Sequence, residues 1–308
     1  MDINTVTGVI QPGDLGFTMP HEHIIVAWDG TFLDSTLAID WVELEREAIE
    51  KCKLAVASGI RTIVDMTTIE MGRDVSLLQR VSEASGLQII AISGLFADAY
   101  GVPHYFRQLT EAQITDIYVR ELTKGVGRTG VRTGAIKIAT GQKELTDLER
   151  LIIRAGAKAH LETGAPILTH TGYGSLGDRQ VDLLVDEGVD PARVVVGHSD
   201  VSANLRYHAR ILRKGATVGF DRIGLHTFMP DDIRAQCIAA LIRMGFASRL
   251  TMSLDCHLRW CGRPNELVIE DRDFTWLARN FFPLLRTAGV SDEDINMIMT
   301  DNVRRLFE

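Results

Sequence analysis

What the chain lacks narrows its function first. Its four cysteines, Cys52, Cys237, Cys256 and Cys261, form no CxxC pair and no other metal-binding spacing, so free thiols in a cytoplasmic protein are the simplest reading. No apolar run approaches the length of a membrane span, and MDINTVTGVIQPGD at the N-terminus carries neither a basic segment nor an apolar core that would direct export. Basic residues are few and scattered: 33 Lys and Arg stand against 41 Asp and Glu, for a net charge of −8. Without a cationic face to neutralise phosphates, nucleic acid is not an expected partner. Prolines number only eight and there is no low-complexity tract, so a composition of 45% hydrophobic and 24% charged residues reads as one folded globular unit spanning 1–308.

What is present is a repeated alternation. Short apolar runs at Gly16–Ile24, Arg61–Met66, Leu87–Gly94, Ala135–Ala139, Pro166–His170, Arg193–His198, Ala216–Phe220 and Arg249–Leu254 read as eight strands buried on both faces. Amphipathic stretches lie between them, including Trp41–Ser58, Val75–Ser85, Asp147–Thr163, Gln180–Glu187, Ala203–Lys214 and Asp231–Met244. Glycines in ASGI, ASGL, ETGAP and RKGA end the preceding helices. Eight such units, with Asp273–Ala288 as the eighth helix and Ser291–Phe307 as a terminal one, predict an α/β fold: a single-domain (β/α)8 TIM barrel.

Catalytic groups of such a barrel sit at the C-terminal ends of its strands. The first strand carries MPHEHIIV, in which alternation turns His21 and His23 to the same face. An isolated HxH is more often a chance pair, but the other strand ends add Lys137, His170, His198 and Asp255. Taken singly, each has an ordinary structural explanation: a satisfied buried histidine, a snorkelling lysine, a helix cap. Lys137 in AIKIAT resists it, because an ammonium inside a central strand is costly without a partner. One shared cause accounts for all six better than six coincidences do, and that cause is a pair of divalent metal ions. Four imidazoles and a carboxylate suit zinc, the leading expectation, as well as cobalt, manganese or iron. A free ammonium would repel two dications. Carboxylated to a carbamate, Lys137 could bridge them, and with Asp255 and a bridging hydroxide the site would carry about +1.

The stretches TVTGVIQPGDLGFTMPHEH, GAIKIAT, PILTHTG, VVVGHSD, GFDRIGL, SLD and the ending DNVRRLF, in order from Thr5 to Phe307, resemble the phosphotriesterase family of the amidohydrolase superfamily, and in particular its phosphotriesterase-like lactonase branch. The resemblance implies that His21, His23 and Asp255 hold the more buried metal, that His170 and His198 hold the more exposed one, and that carboxylated Lys137 bridges. It further implies a metal-bridging hydroxide as nucleophile, Asp255 also accepting a proton, Arg222 over the substrate pocket, and a homodimer. For Arg222 a rim salt bridge, for instance with Asp221, is an equal alternative; Asp221 itself reads as structural support.

Two departures bear on substrate. Where the lactonase branch carries a tyrosine after the third strand, this chain has Phe96, with Tyr100 a few residues on, and phenylalanine cannot donate a hydrogen bond. The loop after Asp255, CHLRWCGRPNELVIEDRD, is short for that branch and offers Trp260 as a wall, with Arg259 and Arg263 nearby. Phe96, Tyr100, Arg222 and Trp260 are therefore the expected substrate contacts. His226 and His257 lie in loops near the mouth, where either could touch substrate but a solvated loop histidine is the commoner outcome; Cys256 reads as pocket wall, and His104, His160 and His208 as residues without a role. The leading expectation is a metal-dependent hydrolase opening lactones, acyl-homoserine lactones among them, with promiscuous phosphotriesterase activity. A true organophosphate triesterase, favoured by aromatic walls at Phe96, Trp260 and Phe228, and a carboxylester hydrolase are the alternatives. A barrel that only binds is disfavoured, since all six ligands are present.

Overall fold

The computed structural model describes residues 2–141, 143–262 and 272–308. The N-terminus forms a small antiparallel hairpin, β1 (Ile3–Thr5) and β2 (Gly8–Ile10). The barrel strands follow as β3 (Thr18–Ala27), β4 (Thr62–Asp65), β5 (Gln88–Gly94), β6 (Ala135–Thr140), β7 (Ile167–Thr171), β8 (Val194–Val196), β9 (Thr217–Phe220) and β10 (Leu250–Met252). All pair in parallel with their sequence neighbours. The ring closes just beyond β10, where the backbone N–H of Asp255 donates to the His21 carbonyl (3.0 Å) and that of His23 donates to the Cys256 carbonyl (2.9 Å). The expected TIM barrel is thus present, with each of the eight expected strands in its place.

Helices α1 (Trp41–Ala57), α2 (Val75–Ser85), α3 (His104–Arg107), α4 (Glu111–Thr123), α5 (Asp147–Thr163), α6 (Gly177–Asp186), α7 (Leu205–Arg213) and α8 (Asp231–Arg243) connect the strands. Their starts are chemically marked: the Asp40, Thr110 and Thr146 side chains each accept a backbone N–H of the first turn of α1, α4 and α5. Gly86 and Gly164 end α2 and α5 in left-handed backbone that glycine adopts without penalty. The last two helical regions, expected to be continuous, contain π-helical turns at Leu277–Phe281 and Met297–Asp301.

The strand pattern sorts side chains into three layers. In β6, Ile136 and Ile138 pack outward against the helices while Ala135, Lys137 and Ala139 point the other way. Val64, Ile90, Ile92, Leu168 and Val195 fill the barrel floor with Val303, Leu306 and Phe307 of the terminal helix. The mouth has its own small apolar cluster of Val26, Met71, Phe96, Ala97, Ala139 and Trp260. Between floor and mouth lies the polar layer.

One element departs from expectation. The start of the loop after Asp255 is a strand, β11 (His257–Cys261), parallel to the outer half of β3 with His257 opposite His23 and Trp260 opposite Val26. At ten residues β3 outruns the barrel wall, and β11 satisfies its otherwise unpaired edge. Arg263 lies outside the described residues. Among the described residues, no helix is long and apolar enough to cross a membrane.

Candidate metal centre

Five barrel strands deliver the polar layer. His21 and His23 come from β3, Lys137 from β6 and His170 from β7, while His198 and Asp255 sit just past β8 and β10. All six are buried. Each strand is apolar on its outer face and delivers one or two of these groups inward, so burial of the helix-facing residues holds the polar ones in place.

Asp255 is the focus. One of its carboxylate oxygens lies 3.7 Å from His21 Nε2 and 3.3 Å from His23 Nε2; the other lies 3.9 Å from His198 Nε2. The opposite ring nitrogens are engaged outward. His21 Nδ1 and His198 Nδ1 meet the two oxygens of Asp221 at 3.1 and 2.8 Å, and His23 Nδ1 meets the Thr67 hydroxyl at 2.8 Å. Such partners fix each ring so that Nε2 presents its lone pair inward. Nε2 of His21 and of His170 have no hydrogen-bond partner although both are buried. Unpaired buried nitrogens are costly unless a ligand completes them, and the donor set fits divalent metals. His21, His23 and Asp255 place their ligand atoms within 4.8 Å of one another, as do His21, His198 and Asp221. His170 joins the group with its ring 4.4 Å from that of His198.

The electrostatics suit the same purpose. Burial pushes the His23 imidazole down to about 3 and His198 to about 4, and it holds His170 well below the ordinary value. Neutral imidazoles are the ligating form. Lys137 is buried, donates to the Met66 carbonyl at 2.8 Å, and has its amine pushed down to about 8 by desolvation. Its Nζ lies 5.3 Å from the centre of the Phe96 ring. Two glycines permit this crowding. A Cβ on Gly94 would meet the Lys137 carbonyl at 2.3 Å, and one on Gly197 would meet Asp221 Oδ2 at 2.9 Å.

Among the described residues, the non-glycine positions with left-handed backbone are Tyr173, Leu176, His198 and Asp255. All follow barrel strands at the mouth, and two are candidate ligands. Backbone of this kind costs on the order of 1–3 kcal/mol per residue and persists where the surroundings over-determine it, as they do at functional sites.

Above the polar layer is a cavity of about 240 Å³ whose lining includes Lys137, His170, Arg222, Asp255, Phe96 and Trp260. Arg222 donates from Nε to Asp255 at 3.2 Å and stacks its guanidinium 4.7 Å from the Phe228 ring. This replaces the alternative of a rim salt bridge to Asp221, whose oxygens are taken by His21 and His198. Tyr100 also lines the cavity, its ring 4.9 Å from Phe96 and 6.0 Å from His170. Arg259 instead projects outward toward Glu47.

Two further expectations change. His257 is no solvated loop residue: held by β11, it stacks 4.9 Å from His23 and lines the cavity. Cys256 is not pocket wall, because its Sγ turns away to the Arg272 carbonyl at 3.4 Å. His226 is exposed, as expected, and His104 starts the short helix α3. His160 and His208 are buried against the carbonyls of Ala165 and Ser199.

Comparison with known proteins decides the relationship. The model of the phosphotriesterase family matches residues 1–307. The chain belongs to the phosphotriesterase family. A phosphotriesterase homology protein of Mycobacterium tuberculosis is 33% identical over 100% of this chain and 98% of its own length. The solved organophosphorus hydrolase of Deinococcus radiodurans shares 36% identity and a TM-score of 0.95, covering 100% of this chain and 97% of that one. A mutant phosphotriesterase-like lactonase from the same organism gives 36% identity and a TM-score of 0.95 over 99% and 100% of the two chains. Members of the phosphotriesterase family are binuclear metal hydrolases, and this chain is a metal-dependent hydrolase.

Some supporting residues escape a sequence reading. Glu22, between the two histidines, is buried and accepts from Ser253 Oγ (2.8 Å), Leu254 N (2.7 Å) and Cys256 N (2.9 Å), tying β3 to the segment that carries Asp255. Asp65 accepts from the backbone N–H groups of Ile24 and Thr67 at 2.8 and 3.1 Å. The available signal was charge inside an apolar strand, the same signal that singled out Lys137.

Proposed function

We propose that this phosphotriesterase-family enzyme opens lactones, with weaker activity on phosphotriesters, using two divalent metals, zinc foremost. His21, His23 and Asp255 would hold one ion, His170 and His198 the other, and Lys137 would join them. When bound, such a pair supplies a nucleophile from water at neutral pH and polarises the substrate oxygen. In the carboxylation of Lys137, the neutral amine attacks carbon dioxide, an N–C bond forms, and a proton leaves to give an anionic carbamate. The depressed Lys137 pKa of about 8 favours this step by raising the fraction of neutral amine.

The observation that carries the lactone reading is the small cavity over Asp255 with Arg222 at its side. About 240 Å³ lies below the usual range of roughly 300–1,000 Å³ for ligand pockets and suits a ring that opens without releasing a separate leaving group. Arg222 would orient the substrate's oxygens, and Asp255, between Arg222 and the histidines, would accept the proton of the attacking water and pass it to the ring oxygen as the acyl–oxygen bond of the ring breaks. The aromatic walls Phe96, Trp260 and Phe228 line the same cavity and support organophosphate triesters as the second reading, as does the name of the Deinococcus relative. The test is kcat/KM for metal-loaded protein on γ- and δ-lactones, acyl-homoserine lactones, aryl esters and a nitrophenyl phosphotriester. A lactone preference of a hundredfold or more, about 3 kcal/mol in the transition state, supports the proposal; the reverse order overturns it.

A further inference from the structure

His257 is a deep polar group of the catalytic cavity that the metal centre leaves unused. Beside the candidate ligands and Arg222, the polar side chains lining that cavity among the described residues are His257, Tyr100, Tyr173, Trp28 and Trp260. Tyr100 is 36% exposed and Tyr173 59%, so both stand at the rim, whereas the His257 side chain is only 13% exposed. β11 sets His257 opposite His23, and two ring contacts fix its plane: stacking on His23 at 4.9 Å and an edge-on contact with Trp260 at 5.1 Å. Among the described residues no hydrogen bond holds the ring, and its Nε2 lies 3.9 Å from Asp255 Oδ1, beyond hydrogen-bond reach. His21, His23 and His198, in contrast, each have Nδ1 tied to Asp221 or Thr67.

Arg222 and His257 approach different oxygens of Asp255, Arg222 Nε at 3.2 Å from Oδ2 and His257 Nε2 at 3.9 Å from Oδ1. A lactone that sits over Asp255 with its ester oxygens toward Arg222 turns the carbon attached to the carbonyl toward His257. An alkyl group on that carbon would cover the imidazole and leave its N–H and lone pair without a partner, which costs affinity. A charged group would lose its water against Trp260 and Trp28, whose rings meet at 5.1 Å next to His257. A neutral amide meets both constraints, since it can donate to or accept from the imidazole and carries no charge against the indoles.

We propose that His257 is a specificity residue for this reaction: its imidazole hydrogen-bonds a neutral amide carried on the lactone carbon next to the carbonyl. The proposal rests on the lactone reading and refines it, because it selects lactones acylaminated at that carbon over alkylated ones.

The test compares metal-loaded wild type, His257→Phe and His257→Gln on γ-butyrolactone bearing either an acetamido or an isobutyl group, similar in size, beside the carbonyl. Phe keeps a ring against His23 but lacks both nitrogens; Gln keeps a donor and an acceptor. His257→Phe is expected to lower the acetamido-to-isobutyl ratio of kcat/KM about fivefold to tenfold, the scale of one lost hydrogen bond. Unsubstituted γ-butyrolactone should change less than about threefold, and His257→Gln should retain most of the preference. Calorimetric binding of the acetamido lactam, a hydrolysis-resistant analogue, should weaken by the same factor in His257→Phe with metal content unchanged. An equal ratio in wild type and His257→Phe overturns the proposal. So does loss of metal from His257→Phe, which makes His257 a ligand rather than a substrate contact. Should His257→Phe fail to fold, His257→Leu lacks the same nitrogens and is read in the same way.

If no lactone is turned over while the aryl ester or phosphotriester is, the lactone reading fails by itself. The two substituted lactones are then assayed as inhibitors of that hydrolysis. Inhibition by the acetamido compound that weakens in His257→Phe, while that by the isobutyl compound does not, supports the role of His257; equal inhibition, or none, overturns it.

Discussion

Arg222 Nε lies 3.2 Å from Asp255 Oδ2, on the side of the carboxylate that faces the cavity, while the other oxygen faces His23 at 3.3 Å. One carboxylate is therefore shared between the metal side and the substrate side, and the two sides separate by mutation. Arg222→Met is expected to lower kcat/KM by about tenfold to a hundredfold, the scale of one charged hydrogen bond used in the transition state, with metal content unchanged. Steady-state kinetics alongside elemental analysis checks this, and loss of metal would mark Arg222 as structural.

Asp221 does not itself line the cavity, yet it fixes the rings of both His21 and His198. Asp221→Asn should weaken metal affinity by about tenfold to a hundredfold, measured by competition with a chelating dye. Activity at saturating metal should fall much less than affinity does.

Lys137→Ala should lose metal and activity together, and short carboxylic acids such as propionate should restore part of both by filling the space of the carbamate. A Lys137→Ala protein that kept two tightly bound metals and full activity without added acid would refute the bridging role. In the wild type, carbon-13 NMR of protein loaded with labelled bicarbonate should show a carbamate carbon.

Arg234 is fully buried, donates to Asp200 at 2.7 Å and to Asp231 at 3.0 Å, and Asp200 in turn accepts the backbone N–H of Arg222 at 3.1 Å. Arg234→Met leaves two buried carboxylates uncompensated, so stability should drop by about 3–5 kcal/mol, read by denaturant unfolding of metal-free protein. A loss below about 1 kcal/mol would show that the aspartates find other partners.

How far the sequence reaches is clearest from particular residues. Alternation in HEH and the isolated cation in AIKIAT pointed to the centre because a barrel strand, apolar outside, leaves few reasons for inward charge. The ring of eight strands was legible for the same reason. β11 was not: HLRWC has no apolar run, and it is a strand because β3 extends past the wall and offers an edge. That strand, and not the residue's place in the loop, is what holds His257 against His23 in the cavity. Nor did Glu22 and Asp221 disclose their partners, since a hydrogen bond across more than two hundred residues, such as Glu22 to Ser253, leaves no local pattern. The left-handed backbone at His198 and Asp255 was equally hidden, as neither residue type announces it.

The account stands on two metals held by His21, His23, Lys137, His170, His198 and Asp255, and metal stoichiometry tests it most directly. The chain should be stripped with chelator, titrated with zinc, and assayed for bound metal and hydrolysis at each step. The account predicts saturation at two equivalents per chain, with hydrolysis appearing as the second is filled. Saturation at one equivalent or fewer, or hydrolysis that survives complete removal of metal, would contradict it.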